Sequence, residues 1–265
     1  MTRVLSGAVL LAFAVAAVWL APPQLFLAIA ALLLVLACRE YAALAGASGL
    51  EIPLVVSTAA SLLTAASFAR AALGGAFEVP LDAVLMSACV ATGAMSLGRW
   101  RGEGDAVASV SAALLPVLYL GLPVGAMVAI RESRGAEALF LLMLTVFSSD
   151  TAQYYSGRAF GRRPLSAISP KKTIEGAVGG FVAGAAALAI VGAWWLPTVP
   201  LSLRALLGIT MVALGIAGDL FESMLKRSAG VKDSSSLIPG HGGVLDRIDA
   251  LLFAAPVYYV VLKYV

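Results

Sequence analysis

Asp219, Glu222, Ser223 and Lys226 recur at three- and four-residue spacing, and beyond a polar loop a second short run holds Asp246, Arg247 and Asp249. That spacing puts the first four on one stripe of a helix. At 1.5 Å per residue Asp219 lies about 10 Å inside the helix end, in an otherwise apolar run, where a carboxylate needs a lysine, a proton or a metal ion as partner. Carboxylates from two facing helices form an oxygen-only donor set. It suits a hard divalent cation such as Mg²⁺, which is held by one or two carboxylates together with substrate phosphate oxygens. The ligands on offer argue against zinc: His241 is the only histidine, and Cys38 and Cys89 sit in apolar runs without metal-type spacing. Lys226, Arg227, Lys232 and Arg247 surround these carboxylates with enough positive charge for a triphosphate, and Gly240, Gly242 and Gly243 let backbone N–H groups approach it. The chemistry these residues suit is metal-assisted phosphoryl or nucleotidyl transfer.

A second stretch, SSDTAQYYSGRAFGRRPLSAISPKKTIEG, runs from Ser148 to Gly176. Asp150, Gln153, Tyr154 and Gly157 share one helical face. Two readings of Asp150 stand: a group facing a wet cavity, or a buried carboxylate paired with Arg158. Ser169-Pro170 reads as the N-cap and first residue of a helix, which places Lys171 and Lys172 in its opening turn. Cations there oppose the helix dipole unless a phosphate arrives, so both lysines are candidates for phosphate binding. Gly176, Gly180 and Gly184 then form a small-xxx-small stripe. It serves close packing inside a bundle on the first reading and a homodimer seam on the second.

The elements that position these groups are membrane helices. With 61% apolar and 12% charged residues and a mean hydropathy of +0.96, the chain reads as an all-α, polytopic integral membrane bundle. A span needs about 20 apolar residues, and nine such runs lie near 4–20, 24–45, 53–73, 80–98, 107–130, 137–158, 174–195, 203–226 and 245–264. The fifth is interrupted by Pro116 and Pro123 and reads as a kinked span or a span with a re-entrant piece. Arg3 precedes the first run, which is kept as a span rather than a cleaved signal. Thirteen of the 18 Lys and Arg residues, Arg101 among them, fall on the N-terminal side of these spans. Arg70, Arg131, Arg134, Arg204 and Lys263 fall on the other. This asymmetry places the N-terminus and the loops 159–173 and 227–244 in the cytoplasm. The organisation expected is an apolar transmembrane region over 1–135 and a catalytic transmembrane region over 136–265 carrying both loops. No nucleic-acid partner is expected.

In order along the chain, Ser223, Lys226-Arg227, Lys232-Asp233, Ser235, Ile238-Pro239, His241-Gly242-Gly243, Asp246-Arg247 and Asp249 resemble the signature of the phosphatidate cytidylyltransferase family. The stretches DTAQYYSGRAFGRR and SPKKTIEG are similar to that family's as well. The resemblance is specific over roughly 145–265. It implies transfer of CMP from CTP to phosphatidate, giving CDP-diacylglycerol and pyrophosphate, with Mg²⁺ as cofactor, in the bacterial cytoplasmic membrane with the site facing the cytoplasm. On that reading Asp219 and Asp246 are the metal ligands, with Asp249 next and Asp150 after it. Lys226, Arg227, Lys232, Lys171, Lys172 and Arg247 serve the phosphates of CTP or of the lipid, and Ser223 binds a metal or phosphate oxygen. His241 is read as a supporting ring that hydrogen-bonds a carboxylate or phosphate and shapes the glycine turn. Glu222 is read as a salt-bridge partner of Lys226. A CDP-archaeol synthase or a polyprenol kinase would share this setting. The DGxxAR pattern of CDP-alcohol phosphotransferases is absent.

Overall fold

Proline sets several of the helix starts. Its fixed φ suits the entry to a helix and its missing N–H is no loss there, and helices follow directly on Pro22, Pro53, Pro80 and Pro200. The computed structural model describes residues 2–75, 78–100, 102, 105–238 and 240–265, with the side chains of all but 2–5. The side chain of Arg3, and Arg101 and Pro239, lie outside the described residues. The elements are α1 (Thr2–Leu20), α2 (Pro23–Ala47), α3 (Leu54–Ala66), α4 (Leu81–Arg99), α5 (Ala106–Pro116), a π-helical turn (Val117–Gly121), α6 (Leu122–Phe160), α7 (Ile174–Trp195), α8 (Leu201–Ser228) and α9 (Leu245–Tyr264). Among the described residues only two isolated bridges stand in place of strands. Among the described residues, five helical stretches are long and apolar enough to cross a membrane: Pro23–Ala47, Leu81–Arg99, Ala106–Phe160, Ile174–Trp195 and Leu201–Ser228. The apolar helices at 6–20 and 54–66 are shorter, and α9 carries charge at both ends.

The interruption expected at Pro116 and Pro123 takes another form. The backbone stays helical through both prolines, with the π-turn between them absorbing the lost hydrogen bonds. The break comes at Gly135, where φ is 85° and ψ is 176°, a conformation that favours glycine. Contacts set the direction of each run. Ser6 near the start of α1 meets His241, while Arg131 donates to the carbonyls of Val18 and Ala21 at its far end, at 2.7 and 2.8 Å. Arg134 donates to the carbonyl of Leu262, near the end of α9. Residues 131–135 therefore lie at the end opposite the loops 161–173 and 229–244, and the start of α1 lies at the same end as those loops.

Two cores hold the bundle. One joins α6, α7, α8 and α9 around Leu141, Leu142, Leu188, Met211 and Tyr258, all fully buried. In lipid such helices associate by close packing rather than by escape from water, and the glycines of α7 provide it. A Cβ on Gly176 would press on the Gln153 carbonyl, one on Gly180 on Gln153 and Ser149, and one on Gly184 on Val212 and Thr145. The stripe is thus filled by α6 and α8 of the same chain and is not free to form the homodimer seam of the second reading. The other core joins Leu34 and Tyr41 of α2 and Leu120 of the π-turn to Val244, Leu245 and Leu252 at the start of α9. Packing therefore crosses the boundary expected at residue 135.

Candidate functional site

The connection between α6 and α7 is a tight loop with its own hydrogen bonds. Leu165 N–H donates to the Lys172 carbonyl at 2.7 Å, Ile174 N–H to that of Arg163 at 3.0 Å, and Lys172 N–H to that of Ser169 at 3.0 Å. The turn around Pro170 is therefore not a helix start. Helix α7 is capped by Thr173, whose Oγ1 accepts from Gly176 N–H at 3.0 Å, so Lys171 and Lys172 precede the helix instead of lying in its first turn. A turn beginning at Ser169 and a threonine at the cap both match local preference. The pairing of 163–165 with 172–174 favours the later start.

Lys172 reaches across to α8 and forms an ion pair with Asp219. Ser223, one turn on, lies 3.4 Å from the other Asp219 oxygen. Asp150 accepts from Gln153 Nε2 at 3.1 Å and makes no ion pair within 4 Å among the described residues, so the pairing with Arg158 is not formed. Asp249 accepts from the N–H of Ala250 at 2.8 Å. Asp150, Asp219 and Asp249 come from three helices and line one cavity, with Lys172 among them.

Asp246 is engaged differently. Its Oδ1 accepts from Lys226 Nζ at 2.6 Å. Its Oδ2 accepts from Ser234 N–H at 2.9 Å, Ser234 Oγ at 2.7 Å and Gly243 N–H at 2.8 Å. Lys226 also pairs with Glu222, which is fully buried, so the i, i+4 pair read from the sequence is present. Lys226 is itself buried and its charge is spent on two carboxylates. The glycines of the turn follow from this crowding. At Gly242 φ is +76°, and a Cβ there would stand 2.5 Å from Asp246 Oδ2; one on Gly243 would strike Ser234 Oγ and both Glu40 oxygens.

These groups open onto one cavity of about 1070 Å³. Its polar end is lined by Asp150, Gln153, Tyr154, Arg158, Lys171, Lys172, Asp219, His241, Asp246, Arg247 and Asp249. Its apolar end is lined by Leu10, Phe13 and Ala14 of α1, Phe26, Ile29 and Leu33 of α2, and Met127, Leu139, Met143 and Phe147 of α6. The structure thus brings together Lys171, Lys172, Asp219, His241, Arg247 and Asp249 from the residues expected, with Asp246 at the edge of its own network. Ser223, Lys226, Arg227 and Lys232 do not line the cavity. Arg227 donates to the Val231 carbonyl at 2.7 Å and Lys232 is exposed. Among the described residues no three His, Cys, Asp or Glu side chains gather closely enough to hold an ion by themselves. Oxygen-only carboxylates suit a hard cation completed by phosphate oxygens; of those lining the cavity, Asp150 and Asp249 accept one hydrogen bond each, while Asp219 is paired with Lys172.

Glu40 was not among the residues expected. It is buried in α2, where its carboxylate is contacted by Ser234 Oγ, Ser235 Oγ and the N–H groups of Val244 and Leu245. The available signal was a carboxylate inside an apolar run, the same signal that marked Asp150 and Asp219. Ser6 also escaped notice; its Oγ is hydrogen-bonded to His241 Nδ1 at 2.9 Å.

Fold and site define a helical membrane protein that gathers cations and carboxylates at the polar end of an amphipathic cavity. The chain belongs to the cytidylyltransferase family, whose model matches residues 1–265. It is similar to the phosphatidate cytidylyltransferase of Helicobacter pylori (strain J99 / ATCC 700824), at 38% identity over 186 residues, covering 70% of this chain and 66% of that one. It is also similar to that of Synechocystis sp. (strain ATCC 27184 / PCC 6803 / Kazusa), at 45% over 126 residues, 47% of this chain and 43% of the relative. The phosphatidate cytidylyltransferase of Haemophilus influenzae matches at 45% over 131 residues, 46% of this chain and 45% of that one. The matched regions span from 43% to 66% of the length of these curated relatives.

Proposed function

We propose that this chain transfers CMP from CTP to phosphatidate, giving CDP-diacylglycerol and pyrophosphate. The observation that carries the reading is a cavity in which the loops 161–173 and 229–244 meet at a polar end continuous with an apolar one. A nucleotide and a lipid phosphate need both. The relatives named phosphatidate cytidylyltransferases support it.

In the reaction a phosphate oxygen of phosphatidate attacks the α-phosphorus of CTP in line. The new P–O bond forms as the bond from the α-phosphorus to the β-bridging oxygen breaks, and its electron pair leaves with pyrophosphate. The attacking phosphate carries about −1.5 to −2 charge near neutral pH, so no strong base is required and positioning dominates. Lys171, Lys172, Arg158 and Arg247 bind the phosphates at the polar end. An incoming phosphate draws Lys172 away from Asp219 and frees that carboxylate. Mg²⁺, when bound, neutralises the charge that develops on the phosphates. Asp219 with Asp249 would hold it, and Asp246 would join them if Lys226 released its Oδ1 in favour of Glu222. Lys226 keeps Asp246 and the loop before α9 in register, and His241, braced by Ser6, shapes the glycine turn. The apolar walls from α1, α2 and α6 take the acyl chains.

The nine apolar runs are read as nine spans, with the end that carries both loops and the start of α1 facing the cytoplasm of a bacterial inner membrane. The cation asymmetry and the shared placement of these segments support that orientation. The test is purified protein in liposomes with phosphatidate, radiolabelled CTP and Mg²⁺. Labelled CDP-lipid is expected; solute flux without CDP-lipid would instead indicate a transporter.

A further inference from the structure

Helix α9 has no cap of its own. Its N-cap is Val244, with no side-chain acceptor, although the first N–H groups of any helix need partners. The partner comes from the other half of the chain. Glu40 Oε1 accepts from Val244 N–H at 2.9 Å and Ser235 Oγ at 2.8 Å, and Oε2 from Leu245 N–H at 2.8 Å, with Ser234 Oγ 2.9 Å from Oε2. Its placement at a helix N-terminus also suits a carboxylate electrostatically. Glu40 is only 6% exposed and makes no ion pair within 4 Å among the described residues, so these contacts are its setting. Ser234 Oγ also lies 2.7 Å from Asp246 Oδ2; its one proton serves one carboxylate at a time, and it stands between Glu40 and the carboxylate that Lys226 holds.

We infer that Glu40 is a positioning residue for cytidylyl transfer. It clamps the segment from Ser234 to Leu245 so that the His241 turn, Asp246 and Arg247 face the cavity. The inference rests on the proposed function for its catalytic consequence, but not for the clamp. It also makes the N-terminal region part of the site, because the residue that sets the start of α9 lies on α2. Glu40 itself touches no substrate group and acts through the backbone it holds.

The test compares Glu40→Gln with the wild-type chain in detergent. Glutamine keeps the shape but puts an amide N–H₂ where two buried donors need an acceptor. Hydrogen exchange of peptides over 240–248 is expected to quicken at least about tenfold, with the peptides of α7 unchanged. In the CTP and phosphatidate assay, kcat/KM for CTP per folded molecule should fall at least about tenfold. Glu40→Asp, which keeps the charge but shortens the reach, should recover part of both. A purely structural role would reduce the folded fraction and leave kcat/KM of the surviving molecules at the wild-type value, and that result would overturn the inference. If Glu40→Gln does not fold, Ser235→Ala removes one donor from Oε1 and should quicken the same exchange about threefold or more; unchanged exchange counts against the clamp. A wild-type chain that forms no CDP-lipid would refute the proposed function, and the exchange arm would still decide the clamp.

Discussion

Replacing Lys226 with methionine would leave two carboxylates without their shared cation. Glu222 is fully buried and the Asp246 side chain is 6% exposed, so neither can turn to water. Removing one partner of a buried ion pair destabilises by about 3–5 kcal/mol, because the remaining charge stays buried. Asp246 keeps three other donor contacts, from Ser234 and Gly243, so most of that loss falls on Glu222. At about 2–4 °C per kcal/mol for a chain of this size, the thermal midpoint of Lys226→Met in detergent should drop by on the order of 10 °C. Adding Glu222→Leu removes the stranded charge, since an apolar pair of similar volume substitutes for a buried ion pair at little or no cost. The double variant should return to within about 1 kcal/mol of wild type. Midpoints read from the loss of monodisperse protein on heating would check both. A single variant as stable as wild type, or a double variant no better than the single, would refute the reasoning.

Asp219→Asn should fold normally, because the pair with Lys172 is partly open to solvent and such pairs stabilise by about 1 kcal/mol or less. Its turnover should fall by about 10²-fold or more, as when one preorganised electrostatic group is lost, measured as CDP-lipid formed per folded molecule. Gly243→Ala should destabilise by about 1–3 kcal/mol, the range for overpacking, since its Cβ would enter the space of Glu40 and Ser234; thermal unfolding reads it directly. Thr173→Ala removes the cap of α7 and should lower stability by about 1 kcal/mol, with the change in exchange confined to 172–177.

Much of the bundle was legible because a membrane span announces itself by length and apolarity. Most edges of the nine runs fall within a few residues of helical segments, although the run 53–73 overshoots α3, which ends at Ala66, and the i, i+4 pair of Glu222 and Lys226 follows from helix geometry alone. Other features depend on contacts between distant residues. The α7 start moved from Ser169 to Thr173 because residues 163–165 pair with 172–174. Lys226 reads as a phosphate ligand until the fold buries it between Glu222 and Asp246. Glu40 meets partners about 200 residues away, and nothing in its own neighbourhood forecasts them. The apolar half of the cavity comes from α1, α2 and α6, which in sequence are only greasy helices.

The most direct measurement supplies CTP labelled either at the α- or at the γ-phosphate to the purified chain with phosphatidate and Mg²⁺, and follows where each label goes. Transfer of CMP predicts α-label in the lipid fraction and γ-label in released pyrophosphate. Label from the γ-phosphate on the lipid, or no label from either position, would contradict it.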